Sequence, residues 1–275
     1  MDTMNGWPLR PIGVVRSAVR ERRQMPPLGA PAAVELFPEF AAGLLQLEKH
    51  SHLWVLAWLD AAQRDLLEVV PRGVRAEDPH ALHGVFAVRS PARPNPIGLT
   101  ASRVLAIQGT RIELARLDFL DGTPVVDLKP YFVSRDAIFA AANTQIGRPA
   151  SRENLRESLL EQAVNFHGER CADLALAVRV FEHLRWEVLA GVEPAGLEVA
   201  APWKRACLLD ALMGMTRATP GRGSLSLLRG PEVRFRIPGA IWRYELLASS
   251  GLDAAAVLAA ADEELFAPRA VRRRS

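Results

Sequence analysis

The sequence predicts two folded parts of different class: a mainly-β N-terminal domain, built as an antiparallel sheet or barrel, followed by an α+β C-terminal domain. Three observations carry this. Up to about Tyr131 the chain is rich in Val, Pro and short apolar runs. After Ser151 it turns to long Leu/Ala/Arg patterns with helical spacing. Between most of the early strands no ten-residue helical pattern intervenes, which disfavours a parallel sheet with helical crossovers. The expected division is 8–141 for the first domain, 142–152 for a linker, 153–267 for the second domain and 268–275 for a basic tail.

Taken in order, Pro11–Val19 reads as a strand after a Pro-bounded start, and Arg20–Pro31 as a basic loop rich in Pro and Gly. From Pro38, the spacing of Phe40, Leu44 and Leu47 predicts a short helix to about Lys49. Leu53–Leu59 is a nearly continuous apolar run, the pattern of a strand buried on both faces. Further strands are expected at Leu66–Val70, Gly84–Arg89, Leu99–Ile107, Arg111–Leu117 and Pro124–Leu128. Ala142–Arg152 is polar and broken by Gly147 and Pro149, hence the linker. Beyond it, helices are expected at Arg152–Asn165, Ala172–Leu189 and Trp203–Met215. Strands follow at Ser224–Leu228, Glu232–Ile237 and Trp242–Leu247, then a helix at Asp253–Phe266.

The 275 residues are 49% hydrophobic and 24% charged, an ordinary globular balance. A formal charge of only +3 permits nucleic-acid binding through a local patch without demanding it. Cys171 and Cys207 are the only cysteines, so no disulfide framework is expected and the cytoplasm is the natural setting. The first thirty residues carry Asp2, Arg10, Arg16, Arg20 and Glu21 and lack the apolar core of a signal peptide. With no run of about eighteen apolar residues, no membrane span is expected. His50, His52, His80, His83 and His183 lack metal-ligand spacing, and Trp54, Trp58, Trp186 and Trp203 sit in apolar runs as core residues do.

Two segments carry chemistry. Gly84–Thr100 reads GVFAVRSPARPNPIGLT: Pro91, Pro94 and Pro96 stiffen a loop that also holds Arg89, Arg93 and Asn95. Its guanidinium forks suit a carboxylate or phosphate, or else stand in water on a structural connection. Leu117–Tyr131 reads LDFLDGTPVVDLKPY, a turn at Asp121-Gly122 followed by a strand on which Asp127, Lys129 and Tyr131 share one face. Its bland alternative is a surface hairpin with an Asp127–Lys129 pair.

With PIGVVRS at Pro11–Ser17 and LE-x-x-SHLWVL at Leu47–Leu56, these ordered motifs resemble the TsaA/TrmO family over roughly Pro11 to Asp136. The resemblance implies a β-barrel, S-adenosylmethionine (SAM)-dependent N-methyltransferase working as a homodimer, with SAM near the interface between its two copies. The best-known members methylate N6 of threonylcarbamoyladenosine in tRNA. It also implies cofactor contacts at Arg23, Gln24, Met25, Asp60, Arg89, Leu99, Leu117, Asp118 and Phe119, with Arg93 and Asn95 toward the substrate. SAM offers a carboxylate for Arg89, hydroxyls for acidic groups, and an adenine for apolar cover such as Leu99. Methyl transfer is an in-line displacement, so the protein positions the acceptor and takes its proton. Asp127, Lys129 and Tyr131 are unranked candidates for that role. Two departures bear on the acceptor: Arg22-Arg23-Gln24-Met25 replaces the Pro-Arg-Gln-Pro of the tRNA enzymes, and Asp60 replaces their His. The alternatives are therefore a small-metabolite acceptor, or a SAM- or metal-binding regulatory protein without turnover.

Ala163–Val178 (AVNFHGERCADLALAV) and Cys207–Phe235 resemble the FmdE-like domain, a family named after a component of formylmethanofuran dehydrogenase, whose members carry His and Cys groups suited to zinc. Here His167 and Cys171 persist, while Glu169 and Arg217 replace other ligand positions. With Cys207 distant in sequence, no tightly bound zinc is expected; His167 and Cys171 are weak candidates only.

Overall fold

The computed structural model describes residues 9–247 and 251–272. Pro8 of the expected first domain, and Arg273 and Arg274 of the expected tail, lie outside the described residues. The chain forms two compact units, Met1–Ile138 and Phe139–Ser275.

In the first unit the strands are β1 (Gly13–Ser17), β2 (Ala30–Leu36), β3 (His52–Trp58), β4 (Glu68–Val69), β5 (His83–Gly84), β6 (Ile97–Gln108), β7 (Arg111–Leu117) and β8 (Pro124–Pro130), followed by a helical turn α1 (Val133–Asp136). Six of them close into an antiparallel barrel in the order β1-β2-β7-β6-β3-β8. A closed sheet has one interior, so side chains alternate between core and surface. Val15, Val34, Leu53, Val55, Ile112 and Val125 fill that interior at 0% exposure. Each such side chain contributes about 1.5–3 kcal/mol on burial. β3 is therefore not buried on both faces as its apolar run suggests: Trp54, Leu56 and Trp58 stand on the outer surface, half-buried.

The expected helix at Pro38–Lys49 is instead two 3₁₀ segments, Pro38–Leu44 and Leu47–Lys49, separated by Gln46 at φ 66°. So short a stretch does not offset the cost of α-helix nucleation, and what holds it is Leu44 and Leu47 packing on the barrel. The strands expected at Leu66–Val70 and Gly84–Arg89 shrink to the two-residue pair β4–β5. β6 is longer than expected, and its register shifts between Val104 and Ala106, leaving Leu105 60% exposed.

Two glycines shape one end of the barrel. A Cβ on Gly98 would lie 2.4 Å from the Phe119 ring, so that ring closes the barrel end directly over the β6 backbone. Gly29, at φ +83°, brings the preceding loop against β7; a Cβ there would meet the Leu117 carbonyl oxygen at 2.7 Å.

The second unit contains α2 (Arg152–His167), α3 (Ala172–His183), β9 (Glu198–Pro202), α4 (Ala206–Thr216), β10 (Leu225–Leu228), β11 (Glu232–Ile237), β12 (Ala240–Leu246), α5 (Ala254–Ala259), α6 (Asp262–Leu265) and β13 (Phe266–Arg272). Ser151 caps α2 by accepting from the Asn154 N–H at 3.2 Å. α3 is the central helix: every residue from Leu174 to Glu182 is buried. It packs against the inner face of a sheet ordered β10-β9-β11-β12-β13, in which only β9 and β10 run parallel.

Three expectations change here. The helix expected through Leu189 passes into a π-helical turn, Leu184–Val188. The helix expected at Asp253–Phe266 is two short ones, α5 and α6. The tail expected from residue 268 is the edge strand β13 up to Arg272, paired along β12. Phe266–Arg272 pairs with Ala240–Leu246 along its whole length, and that pairing orders a segment which composition reads as a tail. Among the described residues no helix is long and apolar enough to cross a membrane.

Candidate functional site

One end of the barrel collects most of the residues the sequence singles out. Trp58 pairs with Ile97, Ala30 with Leu117, and Ala57 with Val125, so β3 and β7 finish where β2, β6 and β8 begin. The turn after β7 ties to the segment after β1: Asp121 Oδ1 accepts from Ser17 N at 3.1 Å, and Val19 O accepts from Asp121 N at 2.8 Å. Arg22, Arg23 and Gln24 form an exposed 3₁₀ turn in this segment.

The cofactor candidates then separate by what their side chains are free to do. Met25 is 8% exposed, and its carbonyl accepts from Arg72 at 3.3 Å, so it anchors the loop. Leu117 and Phe119 are 0% and 2% exposed; their side chains belong to the barrel core, and only their backbone faces outward chemistry. Between them Asp118 is exposed and accepts a hydrogen bond from the Thr100 hydroxyl. Leu99, on the outer face of β6, is 41% exposed. Asp60 is exposed just past β3, its Oδ1 accepting from the Ala61 N–H at 3.1 Å.

In the Pro-rich loop the two arginines diverge. Arg93 donates to the carbonyls of Ser90 (2.8 Å), Val85 (2.9 Å) and Val88 (2.6 Å), and its backbone N–H reaches Gln63 O at 3.2 Å. Its donors hold the loop's own backbone, which corrects the expectation that it faces substrate. Arg89 is exposed, and no carboxylate among the described residues pairs with it. Asn95 is exposed; its carbonyl accepts from Ile97 N at 2.8 Å, and its amide has solvent before it.

The three proton-acceptor candidates share the outer face of β8 but not one location. Leu99, Leu56 and Asp127 form a row across β6, β3 and β8. At a strand spacing of about 4.8 Å, the Asp127 backbone is roughly 10 Å from that of Leu99. Tyr131 lies four residues further on, about 13 Å along the strand at roughly 3.3 Å per residue, with its ring 5.5 Å from Trp54. Lys129 sits beside Trp54 and pairs with Asp127, Nζ to Oδ2 at 2.6 Å. Asp127 Oδ1 also accepts from Leu128 N at 2.9 Å. At the far end His52 bonds Ser51 through Nδ1 at 2.9 Å, and burial, then nearby Arg103, hold its imidazole below the usual range. Its contacts to Ser51 and Tyr131 make it a structural member of the face.

The exposed groups at the barrel end fit SAM by type. Arg89 suits a carboxylate, Asp118, which accepts from Thr100 through one oxygen, suits hydroxyls or an amine at the other, Leu99 suits a flat apolar ring, and Arg23 and Gln24 supply further donors.

Comparison with known proteins places these elements in a family. The family described as tRNA-methyltransferase O N-terminal domain matches residues 14–137. An Archaeoglobus fulgidus protein named S-adenosyl-L-methionine-binding protein is 42% identical over 134 residues, covering 47% of this chain and 93% of that one. The chain belongs to the tRNA-methyltransferase O family. A second A. fulgidus protein, a probable S-adenosyl-L-methionine-binding protein, is 39% identical over 231 residues, 80% of this chain; the chain spans 61% of that relative's length. A mouse tRNA (adenine(37)-N6)-methyltransferase is 37% identical over 94 residues, 34% of this chain and 21% of that one. Among solved structures, TrmO from P. aeruginosa is 24% identical, covers 89% of this chain and 92% of its own, and has a TM-score of 0.43.

Proposed function

We propose that this chain is a SAM-dependent methyltransferase that methylates N6 of a modified adenosine in tRNA, of the threonylcarbamoyladenosine type. The observation that carries the reading is the barrel end itself. Leu99 and Asp118 stand at one end of the barrel, and the connections that carry Arg23 and Gln24 (β1 to β2) and Arg89 (β5 to β6) enter strands at that same end, inside the region that matches the family. SAM supplies an activated methyl group when bound. Arg89 would hold its carboxylate, Asp118 its hydroxyl or amine groups, and Leu99 would cover the adenine, with the backbone at Leu117 and Phe119 as a hydrogen-bonding edge. Of the three proton-acceptor candidates Asp127 is favoured, because it alone shares the Leu99 row. Its Lys129 partner, 2.6 Å away, holds the carboxylate in position. Tyr131 and Lys129 would orient an acceptor lying along β8.

A homodimer and a cytoplasmic setting belong to the same reading. The outer face of β6 and β3 exposes Ile97, Leu99 and Leu105 beside Trp54, Leu56 and Trp58, an apolar surface that a second copy would cover. The motif likeness of Leu155–Leu247 to the FmdE-like domain supports a fusion of two separately folded units. Asp60, in place of the tRNA enzymes' His, favours a small metabolite as the second reading. Mass spectrometry of tRNA nucleosides from a deletion strain and its complement tests the acceptor. A methyl lost from the modified adenosine on deletion and restored on complementation supports tRNA, and identical nucleoside profiles overturn it.

A further inference from the structure

We propose that the outer face of the second unit's sheet, centred on a row of Arg234, Arg243 and Arg269, is a docking surface for the phosphate backbone of RNA. The inference rests on the tRNA reading and extends it to a surface outside the region that matches the family.

One face of this sheet is packed under α3, and there Val233, Phe235, Tyr244, Leu246 and Phe266 are buried. Side chains alternate along a strand, so the residues between these stand on the other face. The register then maps that outer face. Arg234 of β11 is opposite Arg243 of β12, and Arg243 is opposite Arg269 of β13. The three guanidinium groups rise from one row, about 10 Å long at roughly 4.8 Å per strand. Like charges placed directly opposite one another destabilise a sheet unless something neutralises them.

The carboxylates of the face leave most of the row unneutralised. Glu232 stands two residues from Arg234 on β11 and accepts from its Nε at 2.8 Å. Glu198 of β9 pairs with Arg236, in the next row, at 3.0 Å. Glu245 of β12 lies opposite Glu232 and is exposed, with no ion-pair partner among the described residues. Arg243 and Arg269 are both exposed and have no carboxylate partner among the described residues. Ile241 and Val271, the neighbours of Arg236 on β12 and β13, carry no charge.

Two unpaired guanidinium groups on directly opposed residues, with a third beside them, match a line of anions better than a single one. Each fork can make two parallel hydrogen bonds to a phosphate. A nucleic-acid backbone presents such charges every few ångströms, and binding to it releases counterions. Contacts of this kind position RNA without reading its sequence.

The test is filter binding of the full chain to a tRNA transcript and to a plain RNA duplex over a range of salt. Arg243→Gln/Arg269→Gln should weaken both about tenfold to a hundredfold near ~0.1 M salt, and reduce the slope of log affinity against log salt by about two. SAM affinity should stay unchanged. Arg243→Lys/Arg269→Lys should keep most of the slope, since a phosphate backbone also accepts a point charge. Glu245→Gln removes the unpaired carboxylate of the face and should tighten binding severalfold, a gain that misfolding cannot produce. Slopes equal to those of the unmutated chain overturn the surface and leave the tRNA reading standing. So does an altered oligomeric state of the glutamine variant with RNA binding retained, which would give the face to a second copy. An unmutated chain that binds neither RNA at low salt also overturns it. The tRNA reading fails separately, on nucleoside profiles indifferent to deletion, whatever these slopes show.

Discussion

Arg89 and Arg93 stand four residues apart in one Pro-stiffened loop and have opposite physical situations. The Arg93 guanidinium satisfies three carbonyls of its own loop, whereas Arg89 is exposed in the loop that leads into β6. Arg93→Ala is expected to destabilise the first unit by about 2 kcal/mol, since charge-assisted hydrogen bonds are lost and the carbonyls must be rehydrated. Arg89→Ala should leave stability within about 0.5 kcal/mol and weaken SAM binding roughly tenfold to a hundredfold. Urea unfolding and calorimetry on both variants separate the two roles; equal effects in both assays would show that the division is wrong. The sequence cannot make this division, because both arginines obey the same local pattern. What sorts them is which carbonyls the folded loop turns inward. The same holds for Leu117 and Phe119, whose motif is legible but whose side chains only the closed barrel commits to its core.

At the scale of elements, α3 illustrates how charge is accommodated in a buried helix. Glu182 is 0% exposed and bonds Arg152 at 2.6 Å and Arg156 at 2.8 Å, with Arg179 at 3.4 Å. Glu182→Ala would leave three guanidinium groups facing one another and should cost about 3–5 kcal/mol, with Glu182→Gln milder because it retains an acceptor. Chemical denaturation of the two variants checks this; near-wild-type stability of the alanine variant would mean that Asp262 and Glu187 already balance the cluster. Arg179 also donates to the carbonyls of Val257, Leu258 and Ala260 and pairs with Asp262 at 2.7 Å. These bonds satisfy the last carbonyls of α5 and separate it from α6. A single helix over Asp253–Phe266 is the fair local reading, and an arginine far earlier in the chain breaks it.

For the molecule as a whole, the formal charge of +3 decides how a polyanion would be held. Without a strong net field, tRNA binding must rest on local clusters, with Arg22, Arg23 and Arg89 in the connections at the barrel end and the row of Arg234, Arg243 and Arg269 as candidates. Binding should be weak and fall steeply with salt, the slope reporting the number of phosphates neutralised. Filter binding from low to moderate salt tests this. An affinity that is flat with salt, or absent at low salt, would favour the small-metabolite acceptor.

The sequence by itself determined the class of each half, the position of most strands, the start of the helix near Arg152 and the family motifs. The first three rest on periodicity and turn chemistry acting over a few residues, and the last on ordered motifs that resemble a known family. Only the tertiary structure decided which six strands close the barrel and in what order, that β3 has an inner and an outer face, and that residues 266–272 complete a sheet edge. It also decided that Asp127 rather than Tyr131 shares a row with Leu99, and that Cys207 meets His167 and Cys171. Each of these is a contact between segments tens of residues apart. Such contacts are set by which apolar faces can be buried together, and no local pattern encodes them.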